Sequence, residues 1–574
     1  MKKFWKLVLA VICGVLILNL ITIAILSGLA TPSKPAVPSE GVLRIDMSKV
    51  EIGEQTKDQD PMAMLQSMGK EVKIVGILDA SRAVRAAAED PGIKFIYLKT
   101  DGSSTGIALS DEFRKALAEY REISGNPVVA YVENPSTGSY YLATVADKIY
   151  MAPYPGTNYQ FSGVSSQMFF LGDLLKRLGV NVQLIRHGKY KSAGEMYTRA
   201  NSSPENREQY QRMVNSLWEN LSASIAESRG LSVEQLNDLI DNLKLCVPQD
   251  FLDNKLVDAL LDRKALEDQL AVLAGAEKYD DLKMIDFADY AAAKAMPSKA
   301  TKKIAVIYAD GEIVDGVDET NVDGDRFASI IEKVRKDKTV KAVVLRVNSP
   351  GGSVVASDKI KYELDRLKAE KPLVASYGSM AASGGYWISN NCEKIFTSPY
   401  TLTGSIGVFG MIPEFSKTAS ELLHVGVETV SSNKHGDMFS LTRPFDKDEY
   451  DYVLRSIEEI YDRFTTIVSE GRDIPKEQVD AIGQGRVWTG ADAIGIKLTD
   501  EYGTLEDAIA YVADLAGDPD VAHWNVKGYP APLTMMEQIT NSLNNKKEDY
   551  TVRLIKEYSQ PRVLARMENE IRFY

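Results

Sequence analysis

Asp90-Pro-Gly-Ile-Lys-Phe-Ile-Tyr-Leu-Lys99 and Asp337-Lys-Thr-Val-Lys-Ala-Val-Val-Leu-Arg346 read alike: a helix end, a short turn, then an apolar run long enough for one buried strand. They stand 247 residues apart. Further on, Phe113, Leu117 and Tyr120 match Ile360, Leu364 and Leu367 at the same offset. Their i, i+4, i+7 spacing makes one apolar helix face. Asp147-Lys-Ile-Tyr150 matches Glu393-Lys-Ile-Phe396, and Pro153 matches Pro399, with the offset now 246. Strands that alternate with helices in both halves predict an α/β protein of βαβ units, duplicated once. The period is far too long for a solenoid.

The join falls near Tyr290-Ala-Ala-Ala-Lys-Ala-Met-Pro-Ser-Lys-Ala-Thr301, and a fresh strand starts at Ile304-Ala-Val-Ile-Tyr308. The expected units are an N-terminal repeat over 42–298, a C-terminal repeat over 299–517 and a tail over 518–574. From Leu533 the tail is charged and partly amphipathic, and a surface helix and an assembly contact both stay open for it.

Ahead of the repeats, Lys2, Lys3 and Lys6 precede an apolar run from Leu7 to Ala30, broken only by Asn19, Thr22 and Ser27. As a helix it would span roughly 36 Å, enough for a hydrocarbon core of about 30 Å. It is longer than the apolar stretch of a cleaved signal peptide. Residues 1–30 are therefore expected to form a single transmembrane anchor with cytoplasmic lysines, and Pro/Ser-rich residues 31–41 a tether. The remainder would lie across the membrane.

At 574 residues the chain has a formal net charge of −13, which leaves no basic footprint for nucleic acid. Cys13, Cys246 and Cys392 form no spaced pair, and neither an HExxH nor a phosphate-loop motif occurs. No metal and no cofactor is expected.

Two glycine-rich segments carry the chemistry. Asn348-Ser-Pro-Gly-Gly-Ser353 closes the strand 342–347, and amides at such a turn can bind an oxyanion. The matching turn, Thr100-Asp-Gly-Ser-Ser-Thr105, lacks Pro-Gly-Gly, so the fold alone does not demand it. The second segment, Ser376-Tyr-Gly-Ser-Met-Ala-Ala-Ser-Gly-Gly-Tyr-Trp387, follows a short apolar strand. Its small residues permit a sharp strand-to-helix turn that would expose the Ser383 hydroxyl beside the Gly384 amide. A serine nucleophile needs a base. His435 is the one histidine near the right region, and a desolvated lysine would also serve. Lys191, in Gly188-Lys-Tyr-Lys-Ser-Ala-Gly-Glu195 after the apolar strand 182–185, is one such lysine. Spacing alone does not single it out. The pairs Ser67/Lys70 and Ser431/Lys434 lack a glycine-rich setting and are read as chance matches.

Asn348-Ser-Pro-Gly-Gly, Met380-Ala-Ala-Ser-Gly-Gly-Tyr-Trp, Leu402-Thr-Gly-Ser-Ile-Gly-Val and Gly188-Lys-Tyr-Lys-Ser-Ala together resemble the long, duplicated signal peptide peptidase A (protease IV) family of Ser–Lys serine proteases. The resemblance runs from the anchor to about residue 515. It implies two tandem Clp-protease/crotonase-like domains after one transmembrane helix. It further implies Ser383 as nucleophile, Lys191 as general base, Ser405 as the hydroxyl that orients the lysine, and Gly352 and Gly384 as oxyanion amides. The family degrades signal-peptide remnants in or beside the bacterial inner membrane, so the implied substrates are apolar peptides. The implied assembly is a homotetramer with its catalytic part extracytoplasmic.

Projecting Ser383 back by 246 lands on Thr137, and projecting Lys191 forward lands on Gly436 or Met438. One site per chain is expected, assembled between halves within one chain or between neighbours. A crotonase-like acyl-CoA enzyme, which would not need Ser383, and a catalytically inactive membrane scaffold are the alternatives.

Overall fold

A computed structural model describes residues 35–57, 72–155, 159–294, 298–316, 321–532 and 562–567. The expected anchor (1–30) and the start of the tether lie outside them. No helix among the described residues is long and apolar enough to cross a membrane.

The duplication is visible strand by strand. In the first half a six-stranded sheet runs Met284–Asp286, Gly41–Asp46, Ile93–Lys99, Val128–Val132, Lys148–Met151, Ala259–Leu260, all parallel. The second half contains the same parallel path through Asn525–Tyr529, Lys303–Asp310, Val340–Ser349, Leu373–Ala382, Ile395–Thr397 and Glu501–Tyr502. Helices match too: Ile77–Glu89 with Gly324–Lys336, and the long Pro204–Arg229 with Lys447–Arg472. The central strands read as continuous apolar runs because both faces are covered. Along Lys303–Asp310 the pleat sends Ile304, Val306 and Tyr308 into a core shared with the first half, and Ala305, Ile307 and Ala309 into the second half's own core.

The boundary expected at 517 needs correction. Asn525–Tyr529 lies beyond it, yet pairs with Lys303–Ile307 just as Met284–Asp286 pairs with Val42–Arg44. The surface helix left open for the tail does not describe Arg562–Arg566 either, because it is an internal strand of a third sheet. The short run of apolar residues there gave no strand period to read.

Two features bind the halves. First, strand Asn181–His187 leaves the first half and pairs antiparallel with Val408–Glu414 over its whole length. Second, Arg346 of the second half donates to Glu54 Oε2 at 2.6 Å and to Glu112 Oε2 at 2.8 Å, both first-half carboxylates, and to Ser376 Oγ at 2.8 Å. Only 1% of the Arg346 side chain is exposed. Burial pushes the Glu54 carboxyl above its ordinary value even beside the guanidinium. Burial alone would lower Arg346, but Glu112 and Glu54 hold it above its ordinary value. Replacing one member of such a buried group strands the others' charge, which typically costs about 3–5 kcal/mol. Arg346→Met is expected to lose that much in denaturant unfolding. Because Glu54 is raised on folding, its stabilising contribution is present below the ordinary carboxylate range and is lost as pH rises through its raised folded value. Glu54→Gln should flatten that part of the stability–pH curve.

Candidate active site

Strand Leu373–Ala382 ends at Ser383, and helix Gly384–Ser389 starts on the next residue. Ser383 takes φ 55° and ψ −111°, a costly conformation for a residue with a Cβ. It is held by its own amide donating to the Gly404 carbonyl at 2.8 Å and by its carbonyl accepting from Trp387 N at 2.7 Å. The small residues before it are what allow the turn, as the sequence indicated.

Lys191 arrives from the other half. It follows strand Asn181–His187 by four residues, so the antiparallel ladder with Val408–Glu414 sets its position. Its Nζ lies 2.9 Å from Ser383 Oγ, 3.0 Å from Ser405 Oγ and 3.3 Å from the Ser405 carbonyl oxygen. Both Lys191 and Ser383 are almost wholly buried, at 1% and 0% exposed. The Phe409 ring lies 5.8 Å from the amine. The pairing is within one chain.

Gly352 sits at φ 154°, and a side chain there would run into the Ile313 carbonyl. A methyl on Gly384 would meet Gly352 N at 3.1 Å, so the two amides neighbour each other next to Ser383. As the first residue of its helix, Gly384 has no intrahelical acceptor for its N–H. All five residues expected at the site therefore converge, and the arrangement offers a hydroxyl, an amine and paired amides around one point.

The other candidates are elsewhere. His435 Nδ1 bonds Glu449 Oε1 at 2.9 Å, in a surface cluster where Arg443 holds Glu449 down to about 2. Lys434 pairs with Asp448, and Ser67 and Lys70 lie outside the described residues. Thr137 opens helix Thr137–Ala143 as Ser383 precedes its own. Its hydroxyl is tied to backbone instead, donating to the Gly163 carbonyl and accepting from the Ser162 and Gly163 amides.

Sequence reasoning missed two positioning residues. Gly485, at φ 82°, packs on the backbone of Lys191: a methyl there would lie 2.5 Å from Lys191 N and 2.6 Å from its Cα. Its amide donates to the Ile406 carbonyl, while Tyr190 N donates to the Gln484 carbonyl. The signal was Gly483-Gln-Gly485 itself, a loop with no apolar period around it. Gln209 on helix Pro204–Arg229 donates from Nε2 to the Tyr190 carbonyl and Ser192 Oγ, both at 3.0 Å, and accepts from Val487 N. Its single polar side chain thus spans both halves, which no spacing could show.

A duplicated α/β chain whose halves pool a hydroxyl, an amine and paired amides at one buried turn has the outline of a peptidase. The Peptidase family S49 model matches residues 121–277 and 365–517, once in each half. Protease 4 of Salmonella typhi is 38% identical over 481 residues, covering 81% of this chain and 76% of that protein. Protease 4 of Haemophilus influenzae is 32% identical over 558 residues, covering 93% of this chain and 89% of that one. The chloroplastic serine protease SPPA of Arabidopsis thaliana is 30% identical over 443 residues, covering 75% and 64%. The chain belongs to peptidase family S49.

Misplacing a catalytic group by about 1 Å can cost on the order of 10² in rate. Gly485→Ala should therefore lower peptide turnover by about that factor and, because the positive φ and the backbone contact strain any side chain there, also lower the melting temperature, as measured by hydrolysis of a fluorogenic peptide and by calorimetry.

Proposed function

We propose that the chain is a membrane-anchored serine endopeptidase, built on two tandem Clp-protease/crotonase-like domains, that degrades spent signal peptides at the bacterial inner membrane. The observation that carries this reading is the buried hydrogen bond between Lys191 Nζ and Ser383 Oγ. Neutral Lys191 takes the Ser383 proton as Oγ attacks the peptide carbonyl, and burial favours the neutral amine. The Gly352 and Gly384 amides receive the oxyanion. Ser405 accepts from the Lys191 amine through its hydroxyl and carbonyl oxygens and so orients it. The lysine then passes the proton to the leaving amine, and water hydrolyses the acyl-enzyme.

Tyr210 and Met213 from the first half pack against Leu402 and Val487 from the second in a buried apolar cluster, with Met168 and Met380 at its margin. The apolar run 7–30 supports the anchor and an extracytoplasmic catalytic part. Support for a homo-oligomer, as the tetramer requires, comes from Leu422, Leu423, Val425, Val427 and Val430, all exposed. Val427 and Val430 occupy the stretch that repeats the paired strand Asn181–His187, the others lie just before it, and exposed apolar patches of that kind mark contact surfaces.

Ser383→Ala and Lys191→Ala should each reduce kcat on signal-peptide substrates by on the order of 10⁴-fold or more. Near-normal turnover by Lys191→Ala would show that another group is the base. Deleting residues 1–30 should move the protein from the membrane fraction to the soluble fraction on ultracentrifugation.

A further inference from the structure

The segment Gly188-Lys-Tyr-Lys-Ser-Ala-Gly-Glu195 carries a buried charge that the proton transfers leave unused. Glu195 is 1% exposed, as deep as Lys191 four residues before it. It opens the short helix Glu195–Thr198. Its Oε1 accepts from Arg186 Nη1 at 3.1 Å, and its Oε2 accepts from Ser203 N at 3.0 Å. A carboxylate this deep is costly without a cation, so its place depends on Arg186.

Arg186 stands on the other limb of the same loop, in strand Asn181–His187, where the ladder sets it opposite Phe409. The nitrogen that meets Glu195 also donates to the Lys191 carbonyl at 2.6 Å. One guanidinium nitrogen thus joins the strand, the backbone of the lysine and the buried carboxylate. The loop turns back over its own strand through Gly188 at φ 94° and Gly194 at φ 89°. A methyl on Gly194 would meet Leu184 Cδ1 at 2.7 Å and Met411 Sδ at 3.1 Å, so the return is tight. At the far end of the lysine, the ring of Phe409 lies 5.8 Å from the amine. The ladder position of Arg186 therefore bears on both ends of the Lys191 side chain. Tyr190 on one side is already held through its carbonyl by Gln209, and Arg186 takes the carbonyl of Lys191 itself. A lysine has a long, freely rotating side chain, and fixing its backbone removes the first source of error in where its amine falls.

We propose that Arg186 and Glu195 are the positioning pair of the general base: the carboxylate holds the guanidinium, the guanidinium holds the Lys191 carbonyl, and the amine stays in reach of Ser383 Oγ. The inference rests on the Ser383–Lys191 reading. Neither member of the pair touches the reacting atoms. They act as a unit, because either one alone leaves the carbonyl without its anchored donor.

The test measures kcat and KM for a fluorogenic peptide with the full-length chain in detergent, each kcat referred to the folded fraction read by circular dichroism at the assay temperature. Arg186→Met and Glu195→Ala should each lower kcat by on the order of 10²-fold, the cost of about 1 Å of misplacement, and leave KM within about twofold. The double variant should be no slower than the slower single one, since the first loss already frees the carbonyl. Because a single nitrogen makes both bonds, an ammonium with its three donors can stand in for it, and Arg186→Lys should bring kcat back to within about tenfold of the unaltered chain. An unchanged kcat in Arg186→Met, a loss confined to KM, additive losses in the double variant or no recovery in Arg186→Lys overturns the proposal. Lys191→Ala in the same assay separates this failure from a deeper one: if that variant is inactive, the dyad reading stands and only the pair falls, and if it turns over normally, the dyad falls as well.

Discussion

The buried guanidinium of Arg346, held by Glu54 and Glu112, is the constraint on which the rest depends. It sits on strand Val340–Ser349, which ends in the turn that supplies Gly352, and its carboxylate partners belong to the other half. A charge this deep tolerates little displacement, because each lost hydrogen bond leaves an unsatisfied ion in a low-dielectric interior. The halves are therefore fixed in relative position at the strand that feeds the Gly352 turn. With that position fixed, the long ladder between Asn181–His187 and Val408–Glu414 can deliver a lysine to a serine far away in sequence with hydrogen-bond precision.

Duplication has left the two halves unequal in chemistry while equal in backbone. The six-strand parallel paths agree, yet one strand-to-helix turn carries Ser383 at a strained positive φ and the other carries Thr137 in a capping arrangement. Thr137's hydroxyl is consumed by backbone groups of a neighbouring loop. The first half is thus freed to supply the arm with Lys191, the Gln209 brace and part of the apolar cluster between the halves, none of which its own turn needs.

Much of this was legible in the sequence, for definite reasons. The repeat could be read because buried parallel strands show as apolar runs and their covering helices as i, i+4, i+7 faces. The Ser383 turn could be read because few functions require Ser-Gly-Gly after a run of small residues. Lys191 could not be found from its surroundings, since a loop lysine looks the same whether solvated or buried. The resemblance to a family pointed to it. Gly485 and Gln209 stayed invisible because their roles depend on residues hundreds of positions away. The strand Arg562–Arg566 did too, because its partners, not its composition, make it a strand, and the edge strand Asn525–Tyr529 was lost behind a boundary drawn where the pattern fades.

The 192 residues that separate Lys191 from Ser383 have a consequence for how such a molecule is born. A ribosome delivers the amine early and the hydroxyl late, and the loop that seats the amine, around Gly485, later still. No partial chain holds a working set of reacting groups. A peptidase ordered in this way is harmless for most of its own synthesis, and it becomes dangerous only when nearly finished. Order along the gene thus serves as a timing device.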